Sequence, residues 1–134
     1  MNLKLLKLVI AIFVVTACSN KDITLDLNGT WQLSTYQYGQ SSEKSMPENV
    51  KRIKLITPGH FTRIQYNTKN NIITNSAGGT TDFDGFNYSE SIDFGQMGMS
   101  NYLKKRQNFK LKLENGKMYL EGLLSDSLKI KEVC

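Results

Sequence analysis

The chain has 134 residues, room for one domain and too few for two. Hydrophobic residues at 40% and charged residues at 22% form a globular balance that excludes wholesale disorder, and 17 basic against 12 acidic side chains give +5. Two cysteines exclude a disulfide-stapled mini-protein, and with a single histidine they leave little from which to build a zinc centre of nitrogen and sulfur.

Residues 1–17 have the layout of a secretory signal peptide. Lys4 and Lys7 make a positive n-region, Leu8 to Val15 is an unbroken apolar run, and the small Thr16 and Ala17 precede Cys18. The run is far short of the ~20 apolar residues a spanning helix needs. Val15-Thr16-Ala17-Cys18 resembles the bacterial lipobox. That resemblance implies a diacylated Cys18 thiol, removal of residues 1–17 and acylation of the new N-terminus, so that the protein meets the membrane through its lipid. The other reading is ordinary cleavage near Ala17 with Cys18 free or in a disulfide. Each buried CH₂ of an acyl chain contributes ~0.8 kcal/mol, so several chains anchor firmly. Ser19 is not the Asp that retains some lipoproteins at the inner membrane, which points to the outer membrane of the cell envelope, with either face open. Losing Lys4 and Lys7 leaves 15 basic against 12 acidic side chains, a net +3. The basic balance then no longer argues for a nucleic-acid partner, and none is expected.

Residues 18–28 read as a polar tether. Beyond them the apolar period is two. Strands are expected at Thr30–Tyr38, Val50–Thr57, His60–Asn67, Thr80–Asp84, Phe86–Phe94, Asn108–Glu114, Lys117–Glu121 and Ser127–Val133. Pro58-Gly59, Gly85 and Asn115-Gly116 supply turns between neighbours, the last being the strongest short hairpin signal. Gly39–Asn49 and Gly95–Arg106 are longer connections, and Ser100 could cap one or two helical turns in the second. Each strand alternates one apolar and one wet face, as in Phe109, Leu111 and Leu113 against Lys110, Lys112 and Glu114. Eight such strands, with no helix to cover a sheet, bury their inner faces against each other. The expected fold is therefore all-β, an eight-stranded antiparallel up-and-down barrel over residues 29–134 with a short N-terminal tether.

Asn28-Gly29-Thr30-Trp31 opens the first strand, a long loop follows it, and short hairpins dominate afterwards. Gly-x-Trp in this setting resembles the opening motif of lipocalins, in the calycin group. More closely, Gly29–Leu33, Lys54–Thr62, Ala77–Thr80 and Glu132-Val133 resemble the lipocalin-like lipoproteins of uncharacterised type found in Bacteroidota. Two departures stand out: Arg63 replaces a usual large aromatic, and the last strand offers only Lys129 and Lys131 where lipocalins place an arginine over the motif tryptophan. The final strand is therefore expected to be short and the seam imperfect.

If Phe86, Tyr88, Ile92 and Phe94 point inward, Glu90 does too; on the third strand Phe61, Arg63 and Gln65 share a face. A charge inside a barrel must be paired or solvated. Arg63 can meet a carboxylate or phosphate on an otherwise apolar ligand, with Gln65 and Tyr88 as hydrogen-bonding neighbours and Glu90, Phe86 and Ile92 completing the lining. Alternatively Arg63 and Glu90 pair with each other, or Ile64 and Tyr66 are the inward pair. Trp31 is expected to plug the closed end, His60 to sit at a turn, and Asp82 and Asp84 to lie on a wet strand face. Met97 and Met99 with their glycines make a candidate lid. No catalytic residue, metal site or cofactor is expected, and the chain reads as a non-enzyme. The leading expectation is a barrel binding a small apolar or amphipathic molecule. The alternative is an envelope interaction module with a side-chain-filled interior, holding a protein or glycan through its loops.

Overall fold

In a computed structural model, residues 25–124 and 127–134 are described; the segment expected to be a signal peptide, Cys18 and most of the expected tether lie outside them. Ten strands form one antiparallel sheet, curved into a half-barrel: β1 (Gly29–Gln32), β2 (Thr35–Tyr38), β3 (Lys44–Ser45), β4 (Val50–Thr57), β5 (His60–Asn67), β6 (Ile72–Phe83), β7 (Asn87–Gly95), β8 (Arg106–Glu114), β9 (Lys117–Leu124) and β10 (Leu128–Val133). Their order is β1-β4-β5-β6-β7-β8-β9-β10-β2-β3. Among the described residues the helical structure is one 3₁₀ turn, Ser100–Tyr102, without a side-chain cap, in place of the longer capped helix that Ser100 suggested.

The count of eight becomes ten because the first expected strand breaks at Leu33–Ser34. β1 pairs β4, and Leu33 N extends that ladder by donating to Arg52 O at 2.9 Å. Ser34 N instead donates to Val133 O at 2.8 Å, and β2 then pairs β10. One chain segment thus carries both ends of the β4-to-β10 run. β3 is the second addition, two residues inside the expected long loop.

Elsewhere turn chemistry sets the boundaries. β4 and β5 flank Pro58-Gly59, with Gly59 at φ +76°, and pair from Thr57–His60 to Val50–Asn67. Asn115 (φ +52°) and Gly116 (φ +73°) make the tight hairpin between β8 and β9. β10 pairs β9 over six residues from Leu128 to Val133, close to the expected Ser127–Val133. β6 begins eight residues before the expected Thr80, and Gly78-Gly79 lie inside it. A Cβ on Gly79 would run into the backbone of Ser91 and Asp93, so only glycine allows β7 this close.

The core lies on the inner face and gathers Leu27, Ile56, Phe61, Ala77, Tyr88, Phe109, Leu111, Met118 and Leu120. Leu27, from the segment read as polar tether, is buried among them, and its carbonyl accepts the Trp31 indole N–H at 2.9 Å. Trp31 packs against this core and lies opposite Lys54 on β4.

Candidate functional site

Beyond the apolar end, the inner face turns polar. β4 pairs β5 so that Lys54 lies opposite Arg63 and Arg52 opposite Gln65. β7 contributes Glu90, and β10 contributes Glu132, in phase with Leu128 and Ile130. These groups line an interior cavity of about 400 Å³ together with Tyr38, Asn75, Ile92, Met99, Tyr102 and Phe109.

Two ion pairs organise it. Lys54 Nζ donates to Glu90 Oε1 at 2.5 Å, and the Tyr88 hydroxyl donates to the same oxygen at 2.8 Å. Arg52 Nη1 reaches Glu132 Oε1 at 3.3 Å and the Tyr38 hydroxyl at 2.7 Å, while its Nε and Nη2 donate to Gln65 Oε1 at 3.0 and 2.8 Å. Tyr38 in turn donates to Glu132 at 3.1 Å. Burial disfavours the Lys54 charge, but attraction to Glu90 and then Glu132 more than offsets this and leaves its pKa raised. Burial, reinforced by Glu90, pushes the Tyr88 hydroxyl far above its ordinary range. Tyr38 is raised by burial and then by Glu132. Both phenols are thereby held as donors.

Arg63 stands apart. Its Nη2 meets Asn75 Oδ1 at 3.4 Å and the Met99 sulfur at 3.8 Å, and its buried Nε has no hydrogen-bonding partner among the described residues. No carboxylate among them lies in ion-pair range of it. The alternative in which Glu90 neutralises Arg63 does not hold, because Lys54 takes that role. The other alternative fails too: Ile64 and Tyr66 alternate away from Arg63 and Gln65 on β5, and only the latter two line the cavity.

Of the residues expected to line the site, Arg63, Gln65, Glu90 and Ile92 do so. Tyr88 does not; its hydroxyl is spent on Glu90, among the core residues. Gln65 serves Arg52 and Thr74, not Arg63. Phe86 is 55% exposed, its ring 4.6 Å from Lys110 Nζ. It belongs to a turn pinned by Asp84, whose carboxylate accepts the N–H groups of Phe86 and Asn87, so strand parity does not reach it. Those bonds, with the Asn87 side chain first, hold the Asp84 carboxyl down at about 2. Phe94 is 54% exposed because the β6–β7 register shifts at Gly78/Gly79 and reverses the alternation beyond it. Asp82 is exposed and pairs with Arg106, and His60 sits at the exposed turn against Pro58 O.

Sequence reasoning missed Arg52, Lys54, Glu132 and Tyr38. Glu132 was detectable, since it continues the inward parity of Leu128 and Ile130. β4 was not, because Ile53 and Leu55 make its outer face as apolar as its inner one. A larger recess, about 680 Å³, mixes residues of both faces of β7–β9, but its ionisable groups, such as Asp82, Arg106 and Lys110, are exposed to water.

No protein-family model matches the chain, and no curated protein matches it. Two solved structures share its fold, each with a TM-score of 0.56. One is an uncharacterised protein from Bacteroides eggerthii DSM 20697, 17% identical, covering 80% of this chain and 98% of its own. The other is a lipocalin-like protein from Bacteroides uniformis ATCC 8492, 18% identical, covering 80% of this chain and 94% of its own. The fold is therefore lipocalin-like, of a type found in Bacteroides proteins.

Proposed function

We propose that this protein is a lipid-anchored component of the bacterial cell envelope that takes a small amphipathic molecule into the cavity between its strands. The observation that carries the proposal is the 400 Å³ interior space into which Arg63 brings a guanidinium that no carboxylate among the described residues neutralises. A cavity of this size suits a small ligand, and its mixed lining, charged around Arg63 and apolar around Ile92, Leu128 and Ile130, suits an amphipathic one. In this reading β1 and β2 count as one strand that closes an eight-stranded barrel. The shared segment across Leu33–Ser34 supports that closure. The role in this reading is binding and not turnover: the two carboxylates that line the cavity among the described residues, Glu90 and Glu132, are engaged by cations, and His60 is at the surface. The anchor is Cys18 and the location the outer membrane, supported by the lipobox-like Val15–Cys18 and by Ser19.

Native mass spectrometry of the protein extracted from its own membrane tests the binding role. A reproducible co-purifying small molecule is expected. Repeatedly empty preparations would favour the interaction module, for which exposed Leu55, Ile73 and Phe94 on β4, β6 and β7 offer apolar contact area. Cys18→Ala should release the protein from the membrane fraction; retention would remove the lipid anchor.

A further inference from the structure

We propose that the ligand's polar end is a single carboxylate, that its seat is the Nε–Nη2 edge of Arg63, and that Met99 covers this seat until the ligand displaces it. This rests on the cavity reading above and names the chemistry the cavity selects.

Charge comes first. The side chains lining the cavity include three cations, Arg52, Lys54 and Arg63, and two carboxylates, Glu90 and Glu132. Each carboxylate holds one cation, which leaves Arg63 over. Lys54 sits directly opposite Arg63 across the β4–β5 ladder, an unfavourable pairing of like charges. Among the described lining residues, one added negative charge restores balance. A phosphate monoester, with a charge of about −1.5 to −2 near neutrality, overshoots it.

Donor geometry comes second. The Nε and Nη2 groups of a guanidinium point the same way and form a planar fork that matches the two oxygens of a carboxylate. On Arg63 this edge is poorly used. Nε has no hydrogen-bonding partner among the described residues, and Nη2 has a long contact to Asn75 and a longer one to a thioether. Thioether sulfur is a weak acceptor.

The third point is where that sulfur comes from. Met99 lies on the 96–105 connection between β7 and β8, just after Gly98 at φ +98°. Its N–H donates to Gln96 O at 3.0 Å, its carbonyl accepts from Tyr102 N at 2.9 Å, and Lys104 N donates to Ile92 O at 2.7 Å, so the connection folds back on β7 and brings Met99 and Tyr102 to the cavity. Gly95 makes room for it, since a Cβ there would sit 2.8 Å from the Met99 Cβ. An unbranched side chain with three rotatable bonds can leave such a position without unfolding its loop. Ile92, Tyr102, Leu124, Leu128 and Ile130 remain to receive an apolar tail.

The test uses decanoate, 1-decanol and decyl phosphate at pH 8, titrated calorimetrically into protein carrying ¹³C-methyl methionine. Decanoate should bind about tenfold to a hundredfold tighter than 1-decanol, as expected for a charged hydrogen-bonded pair, and tighter than decyl phosphate. Arg63→Met should abolish the preference for decanoate over 1-decanol while binding of the alcohol persists. Arg63→Lys, which keeps the charge and loses the fork, should also weaken decanoate and serves if the Met variant fails to fold. Met99→Ala should tighten decanoate several-fold. The Met99 methyl resonance should move on binding, and that of fully exposed Met97 should stay. Equal affinity for decanoate and 1-decanol overturns the seat and leaves the cavity reading standing. A preference for decyl phosphate overturns the charge assignment, and a stationary Met99 methyl overturns the displacement. Binding of none of the three probes removes both this proposal and the cavity reading.

Discussion

Around Leu111, Met118 and Tyr88 the inner face is sealed, whereas around Arg52 and Arg63 it is charged and hollow. At the sealed end Met118 and Leu111 are 0% and 2% exposed, and the groups packed against them are mainly aliphatic and aromatic. At the hollow end five charged side chains among the described residues share a space of about 400 Å³. The first end gains its stability from area removed from water, roughly 25 cal/mol per Å². The second offsets desolvation with ion pairs, and such pairs are weak evidence for stability. Tyr88 marks the border, with its ring among the apolar groups and its hydroxyl on Glu90. One end holds the fold together and leaves the other free to hold charges that a folding core has no use for.

The comparison is sharpest at that border. Glu90→Ala strands Lys54 and removes the acceptor of Tyr88, and should destabilise by about 3–5 kcal/mol in chemical denaturation. Met118→Ala, wholly in the sealed end, should lose about 2–5 kcal/mol through the cavity it leaves. A mild effect of Glu90→Ala would show that Lys54 finds another partner or water once its carboxylate is gone.

Alkaline titration separates the ends by pH. Burial pushes the Cys134 thiol from 9.0 up to about 11, and Tyr38, Tyr88 and Lys54 are also raised. A raised folded pKa contributes stability that is whole below the unfolded value and is lost as pH climbs through the folded one. Thermal melting should therefore begin to weaken above about pH 9, where the unfolded thiol ionises, and Cys134→Ser should delay the onset towards pH 10. A flat melting temperature between pH 8.5 and 10 would show that the thiol is not held neutral. The smallest effect is expected outside: Phe86→Ala, which loses an exposed ring over Lys110, should change stability by no more than about 1 kcal/mol.

The strand ends at Pro58-Gly59 and Asn115-Gly116 were legible because those dipeptides fix backbone dihedrals locally. Inward placement of Tyr88, Glu90 and Ile92 was legible because nothing interrupts the alternation between them. Phe86 and Phe94 were misassigned on the same rule, since a pinned turn lies before one and a register shift before the other. The early start of β6 was hidden because Gly78-Gly79 reads as a break, and only the partner strand's closeness turns that pair into a requirement. Arg63 was visible as an oddity, but its lack of a counterion among the described residues depends on Lys54 having claimed Glu90, a contact between residues 36 apart.

The break at Leu33–Ser34 has a consequence in time. Its first half finds β4 within about twenty residues, but Ser34 bonds to Val133, 99 positions away, through both its N–H and its hydroxyl. Closing so long a loop is entropically expensive and slow, and sheets made of distant pairings fold late. During synthesis the segment that emerges early must therefore wait, half paired, for one made about a hundred residues later. Until then its free edge is the part of the chain most in need of a chaperone's cover.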